Sequence, residues 1–148
     1  MARALIVGCG CRGQGLARTL AADGIAVRGT TRRPDATAAI EAAGAEAVVA
    51  DPDRLATLVP HLAGVTVVCW LLGTAREPSL HGERLQTMLE HIVDTPVRGL
   101  VYEESTGADL VRAAGERWRM PVRVVGEPPE AHEPWLAAMR EAVRGVLA

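Results

Sequence analysis

The 148-residue sequence contains no lysine, no phenylalanine and no asparagine, so its sixteen Lys-plus-Arg positions are all arginines. The absence of lysine excludes any catalytic step in this chain that needs a lysine amine. Aromatic residues make up only 3% of the chain, and three cysteines do not form a disulfide framework. No apolar run approaches the ~20 residues that cross a bilayer. We therefore expect no membrane partner.

Charge and composition also limit which kinds of partner we expect. A formal net charge of −2 gives no electrostatic reason to expect nucleic acid as a partner. Hydrophobic residues make up 49% of the chain, which is typical of a folded domain rather than a disordered one. A strand is expected from residue 3, which leaves no room for a signal peptide, so we expect a cytoplasmic protein.

The cysteines predict no metal site. Cys9 and Cys11 form a C-x-C pair, but no second Cys/His pair stands at ligand spacing, and the histidines show no such spacing either. We interpret the two cysteines as small residues of a loop, with a redox role as the alternative.

Short apolar runs alternate with amphipathic segments along the whole chain. We expect strands near residues 3–7, 25–30, 46–50, 65–72, 98–102 and 121–125. We expect helices near residues 13–23, 35–43, 53–62, 79–93, 108–118 and 134–147. This alternation predicts right-handed βαβ units and a three-layer α/β domain over residues 1–148, with six mostly parallel strands and helices on both faces.

The segment 8–15 (Gly-Cys-Gly-Cys-Arg-Gly-Gln-Gly) lies between the first predicted strand and the first predicted helix. In that context Gly8 permits a tight turn, Gly10 lets the backbone approach a pyrophosphate, and Gly13 lets helix and strand pack closely. The amino end of the helix adds free N–H groups and a positive dipole end. The pattern predicts a Rossmann fold that binds a dinucleotide. The alternative is a glycine-rich turn without a ligand.

The residues after the second strand favour one dinucleotide over the other. The strand runs into residues 31–34 (Thr-Arg-Arg-Pro), and no carboxylate occurs before Asp35. NAD uses a carboxylate here for its ribose hydroxyls, whereas arginines pair with the extra phosphate of NADP. We therefore expect NADP(H) rather than NAD(H), with Arg12 reaching the same phosphate or the pyrophosphate. The alternative is that Arg32 and Arg33 are solvated surface residues.

Two further segments are expected at the same edge of the sheet. Asp51 follows the third strand, where its carboxylate either reaches the adenine amino group or caps the next helix. Residues 73–75 follow the fourth strand and are expected in the crevice at the carboxyl ends of the strands. The predicted dinucleotide-binding residues are Gly8, Gly10, Cys11, Arg12, Gly13, Thr31, Arg32, Arg33, Asp51, Leu72 and Gly73.

Several stretches in this order resemble a known superfamily. After the glycine loop come 27–34 (Val-Arg-Gly-Thr-Thr-Arg-Arg-Pro), 44–51 (Gly-Ala-Glu-Ala-Val-Val-Ala-Asp), 62–68 (Leu-Ala-Gly-Val-Thr-Val-Val), 97–102 (Val-Arg-Gly-Leu-Val-Tyr) and 118–125 (Trp-Arg-Met-Pro-Val-Arg-Val-Val). The order resembles the extended and atypical short-chain dehydrogenase/reductases, including NAD(P)-dependent epimerase-like and NmrA-like proteins. The resemblance implies cofactor contacts at Gly8, Gly10, Gly13, Arg32 and Asp51. The loop departs from the G-x-x-G-x-x-G of many members.

The catalytic pair that the resemblance implies, Tyr-x-x-x-Lys, is missing. The chain has no lysine, and its single tyrosine, Tyr102, lies in the fifth predicted strand, upstream of the catalytic position. Ser105 and Thr106 match the stretch in which the superfamily keeps its catalytic Ser or Thr. One member of the set does not replace the pair.

Another group of side chains offers acid–base chemistry. Glu103 or Glu104 follows the fifth strand, and His81 is close enough in sequence to the fourth strand to face the same crevice. Burial would bring their pKa values toward neutrality, as an acid–base pair requires. The alternative is a solvated loop and a packed histidine. The candidate catalytic residues are Ser105, Thr106, Glu103 and His81.

Three classes of function fit the sequence. We favour a non-catalytic NADP(H)-binding sensor or regulatory module, because the predicted elements fill the chain and leave no segment for a substrate domain. It would act on a second copy or another protein through an exposed apolar face, at residues 70–72 or at the last helix with Trp135. The alternative is a small atypical NADP-dependent oxidoreductase or epimerase-like enzyme, with non-standard catalytic residues or a site completed by a dimer. A nucleotide-gating domain of an ion-transport regulator is disfavoured by the lack of an acidic residue after the second strand.

Overall fold

A six-stranded sheet forms the centre of the computed structural model, which describes residues 1–148. The strands are β1 Arg3–Val7, β2 Ala26–Thr31, β3 Glu46–Val49, β4 Val67–Trp70, β5 Gly99–Glu103 and β6 Val122–Val125. Their order is β3-β2-β1-β4-β5-β6, and every neighbouring pair is parallel. The predicted six-stranded sheet is confirmed, and it is parallel throughout.

Six α-helices cover the two faces of the sheet. They are α1 Cys11–Ala22, α2 Thr37–Ala42, α3 Leu55–Leu58, α4 Glu83–Ile92, α5 Ala108–Trp118 and α6 His132–Leu147, with 3₁₀ turns at Pro34–Ala36, Val59–Leu62 and Pro78–His81. Residues of α1, α2 and α6 share one hydrophobic core with the sheet, and residues of α3, α4 and α5 share the other. The predicted three-layer Rossmann arrangement is confirmed.

The sequence of β1 from Ala4 to Val7 is apolar without interruption because both faces of the strand are buried. Its side chains alternate between the two cores: Ala4 and Ile6 lie in the core with α1 and α6, and Leu5 and Val7 lie in the core with α4 and α5. All four are completely buried. A central parallel strand covered on both faces therefore needs apolar residues at successive positions.

Two predicted helices are shorter than the sequence pattern indicates. The segment 53–62 contains only the four-residue α3 and a 3₁₀ turn that carries Pro60, which lacks the N–H that an α-helix interior would use. The segment 79–93 is divided at Gly82, whose φ of −129° and ψ of −108° are not helical. Helix α4 therefore begins at Glu83.

The apolar face predicted for a protein partner is not exposed. Trp70 and Trp135 are 0% exposed, and Leu71 is 4% exposed. Trp70 lies in the core with α4 and α5, and its Nε1 donates to the carbonyl oxygen of Leu80 at 2.9 Å. The side chain of Trp135, in α6, packs against the opposite face of the sheet. The prediction of an interaction surface at these residues is therefore wrong. None of the helices is both long and apolar enough for a membrane span.

Helix α6 is tethered to the carboxyl end of α1 by an ion pair. Arg140 donates to the two carboxylate oxygens of Asp23 at 2.7 and 2.6 Å, and Arg144 lies 3.8 Å from the same carboxylate. The hydrogen bond from Arg140 lowers the pKa of Asp23 below its ordinary value. A carboxyl group with a lowered folded-state pKa stabilises the fold above its unfolded pKa, and that contribution is lost as the pH falls through the folded pKa.

We expect Asp23→Asn to lower the unfolding temperature at neutral pH, with a deficit that shrinks as the pH falls through the lowered pKa of Asp23. Circular dichroism during thermal unfolding, between about pH 7 and pH 3, measures this difference. Asp109→Asn is the matched control, because Asp109 is fully exposed and lies 3.6 Å from Arg112 within the same helix. A deficit for Asp23→Asn that stays constant across the pH range contradicts the ion-pair explanation.

Candidate functional site

A cleft of about 480 Å³ opens at the carboxyl ends of β1 to β4. Small-molecule sites usually have volumes of about 300–1,000 Å³. The cleft lies where the strand order reverses, between β1 and β4, which is where open parallel sheets bind ligands. All of the dinucleotide-binding residues predicted from the sequence line it, except Asp51 and Gly73.

The glycine loop between β1 and α1 depends on two glycines for its shape. Gly8 has a φ of +84°, and a Cβ there would lie 2.7 Å from Leu72 Cδ2 and 2.8 Å from the carbonyl oxygen of Leu71. A Cβ on Gly13 would lie 3.2 Å from Ile6 Cγ2, because α1 approaches β1 closely. Gly8 therefore makes the turn and Gly13 allows the packing, as the pattern predicts.

Gly10 differs from its neighbours because it faces open space. A Cβ on Gly10 would meet nothing within 4 Å, and the residue lines the cleft. It is also the N-cap of α1 and provides no side-chain cap, so the first-turn amides keep their donor capacity. Backbone donors, a positive dipole end and an uncrowded approach fit an anionic group such as a pyrophosphate.

Thr30 holds the glycine loop against the end of β2. Its side-chain oxygen accepts a hydrogen bond from the N–H of Gly8 at 3.1 Å, and its carbonyl oxygen accepts one from the N–H of Cys9 at 2.9 Å. Thr30 is 1% exposed and lines the cleft. No sequence pattern marked Thr30. The only local signal is its position near the carboxyl end of β2, at the edge of the sheet where the cleft lies.

The segment after β2 lies at the rim of the cleft. Thr31 Oγ1 accepts a hydrogen bond from the N–H of Arg33 at 3.1 Å, which folds the segment into a short turn. The Arg32 side chain is 64% exposed and its Nη1 lies 4.0 Å from Glu77 Oε1. Glu77 follows β4 and also lines the cleft, but no sequence pattern marked it.

Arg12 points toward β5 rather than toward β2. Its Nη2 donates to Oε1 and Oε2 of Glu103 at 2.7 and 2.9 Å, and its Nε donates to Oε2 at 3.2 Å. Glu103 also accepts hydrogen bonds from the N–H of Gly73 at 2.8 Å and from Nε1 of Trp135 at 3.0 Å. Arg12 is therefore not placed beside Arg32, which disfavours the first of its two expected roles, and it lines the cleft next to the glycine loop, where the second role, at the pyrophosphate, stays a prediction.

His81 is buried and bonded to the sheet. Its Nδ1 lies 2.7 Å from the hydroxyl of Tyr102, and its Nε2 lies 3.3 Å from the carbonyl oxygen of Ala75. Because the carbonyl can only accept, Nε2 carries the proton and Nδ1 accepts from the hydroxyl of Tyr102. That hydroxyl also accepts from the N–H of Gly107 at 2.9 Å, and burial raises the pKa of Tyr102.

The four candidate catalytic residues do not meet at the cleft. His81 is bonded to Tyr102, and Glu103 is bonded to Arg12 and Trp135, so the predicted histidine–glutamate pair does not form. Ser105 is half-buried and Thr106 is exposed. None of the four lines the cleft.

The carboxylate of Asp51 forms a hydrogen bond within its own turn. Its Oδ1 accepts a hydrogen bond from the N–H of Asp53 at 3.0 Å, and its own N–H donates to Thr57 Oγ1 at 2.8 Å. Of the two interpretations left open by the sequence, this arrangement favours capping of the segment that leads to α3.

The cysteines lie in different environments. Burial raises the pKa of the Cys9 thiol to about 12 and that of Cys69 to about 12, which leaves both protonated at neutral pH. Cys11 is exposed and lines the cleft. No group of three or more histidine, cysteine, aspartate or glutamate side chains stands at a spacing that would hold a metal ion.

The sequence matches the model of a protein family described as NAD(P)H-binding, over residues 8–144. No curated protein matches the sequence significantly.

Solved structures share the fold at low sequence identity. Triphenylmethane reductase from Citrobacter sp., complexed with NADP(H), superposes with a TM-score of 0.65 at 16% identity, over 84% of this chain and 48% of that chain. UDP-N-acetylglucosamine 4-epimerase from Bacillus cereus gives a TM-score of 0.62 at 13% identity, over 84% and 53%. A short-chain dehydrogenase/reductase superfamily protein from Agrobacterium tumefaciens with bound NAD gives 0.57 at 19% identity, over 82% and 48%.

The matched region is about half the length of these structures. One of them is described as a member of the short-chain dehydrogenase/reductase superfamily, which is the superfamily that the sequence resembles. At identities below 20%, the likeness shows the fold.

The two glycines of the loop predict opposite effects of an added methyl group. Gly10→Ala should change the free energy of unfolding by less than about 1 kcal/mol, because its backbone (φ −83°, ψ −155°) suits alanine. It should weaken dinucleotide binding at least about tenfold, since the methyl group enters the cleft. Thermal unfolding and a binding titration measure the two effects.

Gly8→Ala is the matched variant. It should cost about 1–3 kcal/mol of stability, because alanine is strained at positive φ and its Cβ would overlap Leu72. Unimpaired binding by a folded Gly10→Ala protein would show that the ligand does not approach this part of the loop.

Proposed function

The chain belongs to the NAD(P)H-binding family, and from that premise we propose that residues 1–148 form one unit that prefers NADP(H) and acts as a non-catalytic sensor or regulatory module. Its output would pass to a second copy of the chain or to another protein. A cytoplasmic location stays a prediction from the sequence.

The segment after β2 carries the preference for NADP(H). Arg32 and Arg33 line the rim of the cleft together with Thr31, and the first carboxylate after them, Asp35, does not line it. Guanidinium groups pair well with a phosphate dianion, whereas the ribose hydroxyls of NAD call for a carboxylate. The pairing of Arg32 with Glu77 is long and exposed, so it competes weakly with a phosphate.

The state of Tyr102 supports a role without catalysis. The residue is 0% exposed, and its hydroxyl is occupied by His81 and by the N–H of Gly107. No lysine is present to lower the pKa of a tyrosine, and burial raises the pKa of this one. The chain therefore offers no tyrosine hydroxyl to a substrate in the cleft.

A second candidate function is an atypical NADP-dependent oxidoreductase or epimerase-like enzyme. It is favoured by the solved structures of the same fold, in which the matched region is about half of a longer reductase or epimerase. In that case a second copy or another chain would complete the site and supply the catalytic groups.

We expect the double variant Arg32→Ala/Arg33→Ala to weaken NADPH binding by about 10- to 100-fold and to change NADH binding by less than about threefold. The physical reason is the loss of charge-assisted hydrogen bonds from two exposed arginines to a phosphate that NADH lacks, and the expected change corresponds to roughly 1.4–2.8 kcal/mol in total. Isothermal titration calorimetry with both dinucleotides measures the ratio.

The matched control is Arg18→Ala, because Arg18 is an exposed arginine of α1 that does not line the cleft. It should leave both affinities unchanged. Equal losses of NADPH and NADH binding in the double variant, or tighter binding of NADH than NADPH by the wild type, would remove the proposed role of these arginines.

A separate measurement distinguishes the sensor from the enzyme. We expect NADPH to bind at sub-millimolar concentration and not to be consumed above the blank rate in the presence of a panel of aldehydes and ketones. Absorbance of the reduced nicotinamide follows consumption, and calorimetry confirms that the same preparation binds. Sustained consumption that scales with protein concentration favours the enzyme.

A further inference from the structure

We propose that the cleft holds only the adenosine diphosphate half of the dinucleotide, with its 2′-phosphate, and that the nicotinamide half has no built site in this chain. This inference rests on the proposed NADP(H) binding and narrows its ligand to a 2′-phosphorylated adenosine diphosphate group. It implies a binding unit that does not distinguish the oxidised from the reduced cofactor.

The lining of the cleft is confined to part of the sheet edge. A dinucleotide-binding sheet has two mononucleotide-binding halves, here β1–β3 and β4–β6, on either side of the point where the order reverses. The cleft is lined by the glycine loop, by the segments after β2 and β3, and by the segment after β4. No lining residue follows β5 or β6.

A buried ion pair occupies the end of β5. Glu103 is 3% exposed and accepts hydrogen bonds from Arg12 at 2.7 Å, from Trp135 at 3.0 Å and from the N–H of Gly73 at 2.8 Å. The Arg12 guanidinium also lies 5.7 Å from the centre of the Trp135 ring. The pair therefore joins the glycine loop to the end of β5, across the edge where a second nucleotide would continue.

Separating Arg12 from Glu103 would require a large free energy. Moving Arg12 aside would leave the Glu103 carboxylate buried without its cation, which is strongly unfavourable. The space beside it is also filled, because even a methyl group on Gly73 would lie 2.7 Å from Glu103 Cγ. A ligand that needed this space would have to separate a buried charge pair.

The buried polar side chains of this region are already hydrogen-bonded. The hydroxyl of Tyr102 is bonded to His81 and to the N–H of Gly107, and His81 is bonded at both ring nitrogens. Every buried side-chain nitrogen and oxygen atom in the chain has a hydrogen-bond partner. The β5 end therefore presents no unpaired buried side-chain group to an amide such as that of nicotinamide.

Calorimetric titration of the full chain with four ligands tests the inference. We expect NADP⁺, NADPH and 2′-phospho-ADP-ribose to bind with dissociation constants within about threefold of one another. Nicotinamide mononucleotide, the other half of the cofactor, should show no binding up to roughly millimolar concentration. These outcomes follow if all of the binding energy comes from the adenosine diphosphate half.

Binding of either complete cofactor at least tenfold tighter than 2′-phospho-ADP-ribose overturns the inference and leaves NADP(H) binding intact. A tenfold difference between NADP⁺ and NADPH, or measurable binding of nicotinamide mononucleotide, also overturns it. Absence of binding by every ligand that carries the 2′-phosphate refutes the proposed function itself, and the inference fails with it.

Discussion

One buried carboxylate, Glu103, connects the parts of the fold that surround the cleft. It lies at the end of β5 and binds Arg12 of α1, the N–H of Gly73 after β4 and the indole of Trp135 in α6. A buried charge is tolerated only when it is paired and hydrogen-bonded, so these contacts constrain one another. Helix α6 and the amino end of α1 are thereby fixed relative to the sheet edge that forms the cleft.

The opposite side of the cleft depends on small residues. A Cβ on Gly29 would lie 2.7 Å from Cys9 Sγ, and one on Gly13 would lie 3.2 Å from Ile6 Cγ2, so α1 can approach β1 and β2 only because these positions are glycines. The same approach places the amino end of α1 at the switch point. The packing of the helix and the shape of the glycine loop therefore have a common cause, and Thr30 supports both by accepting a hydrogen bond from the loop.

The sequence predicts the architecture well because the relevant signals are local. Continuous apolar strands, amphipathic helices and the glycine loop are each recognisable within a few residues, and the parallel direction of the strands follows from the alternation of strands and helices. The two arginines after β2 are also a local pattern, and they line the cleft as the sequence predicts. The shortening of two predicted helices also has a local cause, because Pro60 and Gly82 interrupt them.

The connections between distant residues are not predictable in this way. Arg12 and Glu103 are 91 positions apart, and Glu103 next to Glu104 has the pattern of a solvated loop. Strand β5 ends at Glu103, one residue later than predicted, and this extra residue turns the carboxylate toward the face covered by α6. Trp135 belongs to the apolar face of α6 with Met139 and Val143, but that pattern does not show that its indole N–H reaches Glu103. Tertiary contact decides each of these features.

The proposed ligand position extends from the glycine loop to the end of β2 and does not reach the ends of β5 and β6. Backbone amide chemical shifts of the isotopically labelled chain, recorded during titration with NADPH, test this claim residue by residue. We expect perturbations at residues 8–14 and 30–33, with residues 104–107 and 126–131 unaffected. Perturbations centred on residues 104–107 and 126–131, or none in the glycine loop, would contradict it.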